Sequence, residues 1–202
     1  GADLTGAQLK GLSFKKAQLQ EAKLNKANIV DVDFTEANLE GVSLHEATAE
    51  GSNFTRAQLN NANMKKIRLT GATLSYADFT GADLSRALLD KTDLSYAIFV
   101  DTNLSEVIAT GADLTGAQLL QVNLSGAKFD QVTWDEAILR PKQIDRAILP
   151  GAPIGKFTLT GDILEGADLS GVNLRHLNLS DVTLNTFKVS QSDFEGVNFN
   201  NA

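Results

Sequence analysis

The sequence predicts an all-β solenoid wound from five-residue units, and three observations carry the prediction. Every residue whose number leaves a remainder of four on division by five, from Leu4 to Phe199, is apolar: forty positions without exception. Fifteen of the sixteen glycines keep the register of Gly1 and Gly6, two places past an apolar centre, and Gly155 alone does not. The stretch Gly1 to Leu9, GADLTGAQL, returns letter for letter at Gly111 to Leu119. A helix turns about 100° per residue, so centres five apart would spray around its axis. A strand alternates faces, so an odd spacing would send successive centres to opposite sides. Short extended pieces joined by bends remain, each bend turning the next centre inward.

The other slots of the unit agree with that geometry. Two places before the centre stands Ala in 22 of 41 cases, Ala2, Ala7, Ala77 and Ala82 among them. Only a small side chain shares an interior with a large one at native packing density. Glycine and its Ser/Thr neighbour supply the left-handed and hydrogen-bonded conformations of tight turns. Asp or Asn before the centre, as in Asp3, Asp83, Asn103 and Asn123, is expected to point outward.

Units such as GADLT, GADLS, YADFT and GVNLR resemble the pentapeptide-repeat proteins, whose pattern is Ala, Asp or Asn, Leu or Phe, Ser or Thr, Gly. The resemblance extends over essentially the whole chain, and the pure Leu/Phe, Ala-rich units are similar to cyanobacterial members. It implies a right-handed quadrilateral parallel β-helix with four units per coil. About ten coils at roughly 4.8 Å each give a rod on the order of 48 Å long. Phe14, Phe34 and Phe54 recur at a spacing of twenty and would stack on one face, as Phe79 and Phe99 would on the next.

In chain order, residues 1–139 read as one repeat block, with two centres shrunk to alanine on the same face, Ala49 and Ala109. The pattern then weakens: Trp134 is followed by Pro141, Pro150 and Pro153, and Lys142 stands in the alanine slot, as does Asp162 further on. A buried charge is costly unless paired, and proline removes a ladder donor. A loop or short helical insert is therefore expected at 140–153, with Pro141 in its first turn and Ile144, Ala147 and Ile148 on one side. The register modulo five survives, so an unbroken coil is the alternative. From 154 to 202 the repeat resumes with Phe157, Leu177 and Phe187 in the alanine slot, and Phe194 and Phe199 close it. The open end of a β-helix is a sheet edge that needs cover. The resemblance implies that aromatic C-terminal coils pair two copies, which makes Phe187, Phe194 and Phe199 dimer-contact candidates; overfilled terminal coils are the plainer reading.

Composition narrows the function classes. Cysteine is absent, which removes disulfides and thiolate metal sites and leaves the redox compartment unread. No apolar run approaches the roughly 20 residues of a membrane span, and the cytoplasm is the favoured location for the chain as given. The register is already running at Gly1, leaving room for an upstream leader or cap. The net charge is −7: residues 1–70 carry eight acids and nine bases, 71–139 ten and three, 140–202 seven and six. An acidic middle disfavours binding to a phosphate backbone and suits a basic partner.

No catalytic constellation stands out, and no metal or cofactor is expected. His45 and His176 occupy turn slots far apart in sequence. Phosphate-loop, dinucleotide and calcium-loop motifs are missing. Asn53-Phe54-Thr55 and Asn103-Leu104-Ser105 are glycosylation sequons that the repeat generates by itself. Asp93 and Asp113 would stack as paired carboxylates do in acid/base sites, but the repeat places Asp there by default.

One feature exceeds what the repeat requires. Tyr76 and Tyr96 stand twenty apart at a turn where glycine is usual, and on the next face Ile98, Val100, Leu120 and Ile138 fill outward slots. Leu88, Ile108 and Ile148 do the same elsewhere. Exposed apolar clusters with polar rims mark interfaces, whereas scattered surface aliphatics are ordinary. The expectation is a non-catalytic scaffold that binds a protein partner through Tyr76, Tyr96, Ile98, Val100, Leu120 and Ile138. The resemblance adds an alternative, because some members imitate a B-DNA segment and protect DNA gyrase from inhibitors. A charge of −7 not confined to one face is a weak imitation.

Overall fold

Twenty residues after each outward-facing residue beside an apolar centre, the chain returns to form a parallel bridge with it, from Asp3↔Lys23 to Asp168↔Lys188. Four five-residue units therefore complete one coil of a right-handed quadrilateral parallel β-helix. The computed structural model describes residues 1–152, 167–170, 172, 179–180 and 188–202. Inside lie the centres and the alanine slots as one continuous core, and the aromatic ladders form as the spacing of twenty requires. Phe14 stacks on Phe34 at 5.4 Å, Phe34 on Phe54 at 4.8 Å, and Phe79 on Phe99 at 4.8 Å.

The unit is defined by where its five backbone N–H groups go. In the unit around Phe34, the Phe34 amide donates to the Asn53 carbonyl, the Glu36 amide to Thr55 and the Asp33 amide to Leu12, tying the coil to both neighbours. The Ala37 amide donates back to Phe34 at 2.9 Å and closes the turn. The Thr35 amide goes to the Asp33 carboxylate at 2.9 Å, and the Thr35 hydroxyl joins it at 2.6 Å. Asp78 with Thr80, Asp93 with Ser95 and Asp113 with Thr115 repeat the arrangement. The Asp/Asn and Ser/Thr slots are thus a side-chain cap on the one N–H that neither the ladder nor the turn employs.

Among the described residues, the turn residue two past the centre takes a left-handed conformation everywhere except at Pro141. Eleven glycines do so, but so do 21 other residues, Lys66, Tyr76, Arg86 and Glu106 among them, with φ from 52° to 61°. Where the amide one residue further on also closes onto the carbonyl of the centre, as Ala37 does onto Phe34, this is the signature of a type II turn; Asp101 and Gln121 are left-handed without that bond. The left-handed region costs a non-glycine residue about 1–2 kcal/mol, a load the inter-coil ladder carries. Ser52, Thr92 and Thr102 fill alanine slots and are fully buried. Their hydroxyls donate to the carbonyls of Ile29, Leu69 and Phe79 on the preceding coil, so burial leaves no donor unmet.

Where a loop or short helix is expected at 140–153, residues 140–152 continue the coil instead. Gln143 bridges Asn123, and Ile148 bridges both Lys128 and Asp168. The physical reason lies in what each proline replaces. Pro150 and Gly151 fill the two central positions of a type II turn, where proline and glycine are both favoured; Gly151 has φ 71° and the Ala152 amide closes onto Leu149 at 3.2 Å. Pro141 cannot adopt positive φ. It turns inward and is buried, and Lys142, expected in the interior, is thrown outward to within 3.6 Å of Asp101. Pro153, Phe157, Asp162 and Leu177 lie outside the described residues.

The left-handed corners make a stability prediction. Lys91 has φ 55°; Lys91→Gly is expected to stabilise the rod by up to about 1 kcal/mol and Lys91→Val to destabilise it by about as much, read from denaturant unfolding.

Candidate functional site

Three coils in the middle of the rod depart from the single-residue bridges elsewhere. Strands β1 (Ile98–Val100), β2 (Gln118–Leu120) and β3 (Ile138–Arg140) pair in parallel in that order. Ile98, Gln118 and Ile138 form one outward column, Val100, Leu120 and Arg140 a second, and Phe99, Leu119 and Leu139 are buried between them. The chain stays extended for three residues here, so each rung presents two outward side chains on this face. Ile98, Val100, Leu120 and Ile138 lie on this one face, and Leu88, Ile108 and Ile148 in a column on another; Ile138 is 45% exposed, and Ile98, Val100 and Leu120 are half-buried.

The tyrosines line the edge beside it. Tyr76 and Tyr96, 49% and 43% exposed, stack at 5.0 Å with their rings 8° from parallel. The Arg56 guanidinium sits 5.3 Å from the centre of the Tyr76 ring, a cation–π contact. Below, the Tyr96 ring covers Gly116, where an added Cβ would come within 2.4 Å of it. Arg56, Tyr76, Tyr96 and Gly116 are thus one column of cation, ring, ring and bare backbone. The sequence pointed to the two tyrosines; the roles of Arg56 and Gly116 needed the coil period as well.

Charges surround the face unevenly. Asp93 and Asp113 stand one above the other on the face beyond the tyrosine edge, and Asp135 and Glu136 continue that edge one coil past Gly116. On the opposite side Asp101 pairs with Lys142, and Arg140 ends the second column. Asp78 heads the first column, bridged to Ile98. Burial opposes the ionisation of Asp78 and of Asp83 on the next face, but the donors around them outweigh it. Thr80 and Asn60 hold the first carboxyl below its ordinary value, Ser85 and Lys65 the second.

The remaining candidates are dispersed. His45 lines a recess of about 290 Å³ with Lys65, Lys66, Ser85, Arg86, Ser105 and Glu106. The bases there are matched by acids: Lys65 by Asp83 at 3.2 Å, Lys66 by Glu46 at 3.0 Å, Arg86 by Glu106 at 2.9 Å. Asp93 and Asp113 are adjacent, and each carboxylate caps its own turn. Among the described residues no group of His, Asp and Glu is placed to hold a metal ion, and no helix is long and apolar enough to cross a membrane. Phe199 is 44% exposed and lies 6.0 Å from Phe194 at the far end of the rod. Phe187 and His176 lie outside the described residues.

Two measurements probe this region. Gly116→Ala forces the Tyr96 ring aside and is expected to abolish the near-ultraviolet circular-dichroism signal of the stacked tyrosines while the far-ultraviolet spectrum is kept. The carboxyls held low contribute stability above the unfolded-state value of about 4. That contribution is lost as pH falls through the lower folded values, so thermal stability should drop below about pH 4. The drop should be smaller in the Asp78→Asn, Asp83→Asn double variant.

Known proteins share this architecture. The family profile described as pentapeptide repeats matches in eight copies, over residues 2–41, 37–75, 52–90, 67–105, 97–133 and 158–190. No curated protein matches the chain. Among solved structures, the chain is similar to HetL from the cyanobacterium Nostoc sp. strain PCC 7120, a pentapeptide repeat protein involved in heterocyst differentiation regulation. The two are 25% identical over 98% of this chain and 86% of HetL, with a TM-score of 0.50. QnrB1, a plasmid-mediated fluoroquinolone resistance protein, is 22% identical over 100% of this chain and 93% of its own, with a TM-score of 0.42. A pentapeptide repeat protein from the Arabidopsis thaliana thylakoid lumen is 26% identical over 61% and 65%, with a TM-score of 0.36.

Proposed function

The chain belongs to the pentapeptide-repeat family, and from that premise we propose that it is a non-catalytic interaction rod whose middle coils bind a protein partner. The observation that carries the reading is the Arg56, Tyr76, Tyr96, Gly116 column beside the apolar face of β1 to β3. The coil needs none of it: small or polar residues serve at the same corners of other coils. A stacked, rigid pair of tyrosines loses little conformational freedom on binding, which is why such side chains concentrate affinity. The similarity to HetL, a protein involved in regulating differentiation, supports a role exercised through binding. At the far end, the exposed Phe199 and its neighbour Phe194 offer a contact between two copies.

Binding to DNA gyrase by DNA mimicry is the competing reading, favoured by the ten acids against three bases of residues 71–139. It needs an evenly acidic rod, whereas an apolar face interrupts this one. Tyr76→Ser with Tyr96→Ser is expected to cut partner recovery in a pull-down at least tenfold and move the melting temperature by only a few degrees. Undiminished recovery removes the face from consideration, and a change in gyrase supercoiling by both wild type and variant at micromolar excess would favour mimicry.

A further inference from the structure

Most main-chain groups of the apolar face are already hydrogen-bonded to neighbouring coils. The amides of Ile98, Gln118 and Ile138 donate to Ala77, Ala97 and Ala117. The carbonyls of Ile98, Val100, Leu120 and Arg140 accept from Phe79, Gly81, Asp101 and Gln121. A partner cannot add a strand here, so it must bind by side chains alone. From Tyr76 to Ile138 the surface spans four rungs, roughly 15 Å along the axis, and its area is on the order of 200–300 Å². A stable contact between two folded bodies takes about 800 Å² from each, so a second copy laid face to face is too large an occupant. The repeat of the surface selects between narrower ones. Rungs recur at about 4.8 Å and turns of an α-helix at about 5.4 Å, a mismatch of roughly 2 Å across the strip. Same-side residues of an extended segment recur at about 6.8 Å and lose register by roughly 6 Å over the same distance.

Resting on the interaction reading above, we infer that the occupant is an amphipathic helix of the partner, lying along the rod axis. Its apolar stripe at i, i+3, i+4 and i+7 covers Ile98, Val100, Leu120 and Ile138. Its basic flank overhangs the tyrosine edge, facing Asp93 and Asp113 on the face beyond it and Asp135 and Glu136 on the edge itself, one coil past Gly116. The opposite flank meets Arg140 and the paired Asp101 and Lys142, and has no such requirement.

The test places a photo-cross-linker, p-benzoylphenylalanine, at Gln118 in the centre of the face, and at Asn63 on another face as the control, each in the full chain within its source cells. Cross-linked segments are mapped by mass spectrometry. The expected result is cross-linking from Gln118 to segments with the helical stripe and Lys or Arg along one flank, reduced at least tenfold by Leu120→Lys. Segments that lack the stripe, or carry acids on that flank, overturn the helix and leave the interaction role standing. Cross-linking at Gln118 no greater than at Asn63 overturns both.

Discussion

A five-residue unit has five backbone N–H groups, and the structure follows from finding each a partner. In a unit such as that of Phe34, three go to neighbouring coils, one closes the turn, and the last is met by the Asp or Asn side chain before the centre. Burial then becomes affordable, because a backbone with unmet donors would cost more than its apolar centres return. The same requirement governs the interior, where Ser52, Thr92 and Thr102 are tolerated since each hydroxyl reaches a carbonyl one coil away. An exception is the buried indole N–H of Trp134, which has no acceptor among the described residues.

Coil-to-coil bonding also explains why so few corners need glycine. Strain at a left-handed Lys or Glu is local, whereas the ladder above and below it is continuous, so the corner is held by its neighbours. This frees the four edges to vary. On one, Lys26, Glu46 and Lys66 alternate in charge, and Arg86 pairs with Glu106. On another the same slot has become the tyrosine column. Exposed ion pairs add little stability; the variation at these slots is free for recognition.

Much of this was legible in the sequence, and the misses have physical causes. The period of five gave the inward centres, and the spacing of twenty between phenylalanines anticipated their stacking. Taken one at a time, Lys142 and the prolines imply a break. Pro141 and Lys142 exchange sides as a pair, and Pro150 with Gly151 is a favoured turn dipeptide in the correct slot. The capping role of Asp and Asn is hidden in the sequence, because an outward carboxylate reads as solvated until the fifth N–H is counted. The aliphatic face is visible in the sequence as outward slots filled by apolar residues, but the three extended residues per rung that bring the two columns onto one sheet are not revealed by any spacing.

The tyrosine column has unlike ends: a guanidinium stands above the first ring and bare backbone lies beneath the second. Rotating the rod end over end would exchange them, so the surface carries an arrow along the axis. A visitor that reads the column can dock in one direction only, and whatever is joined to it is thereby delivered toward a particular tip of the rod.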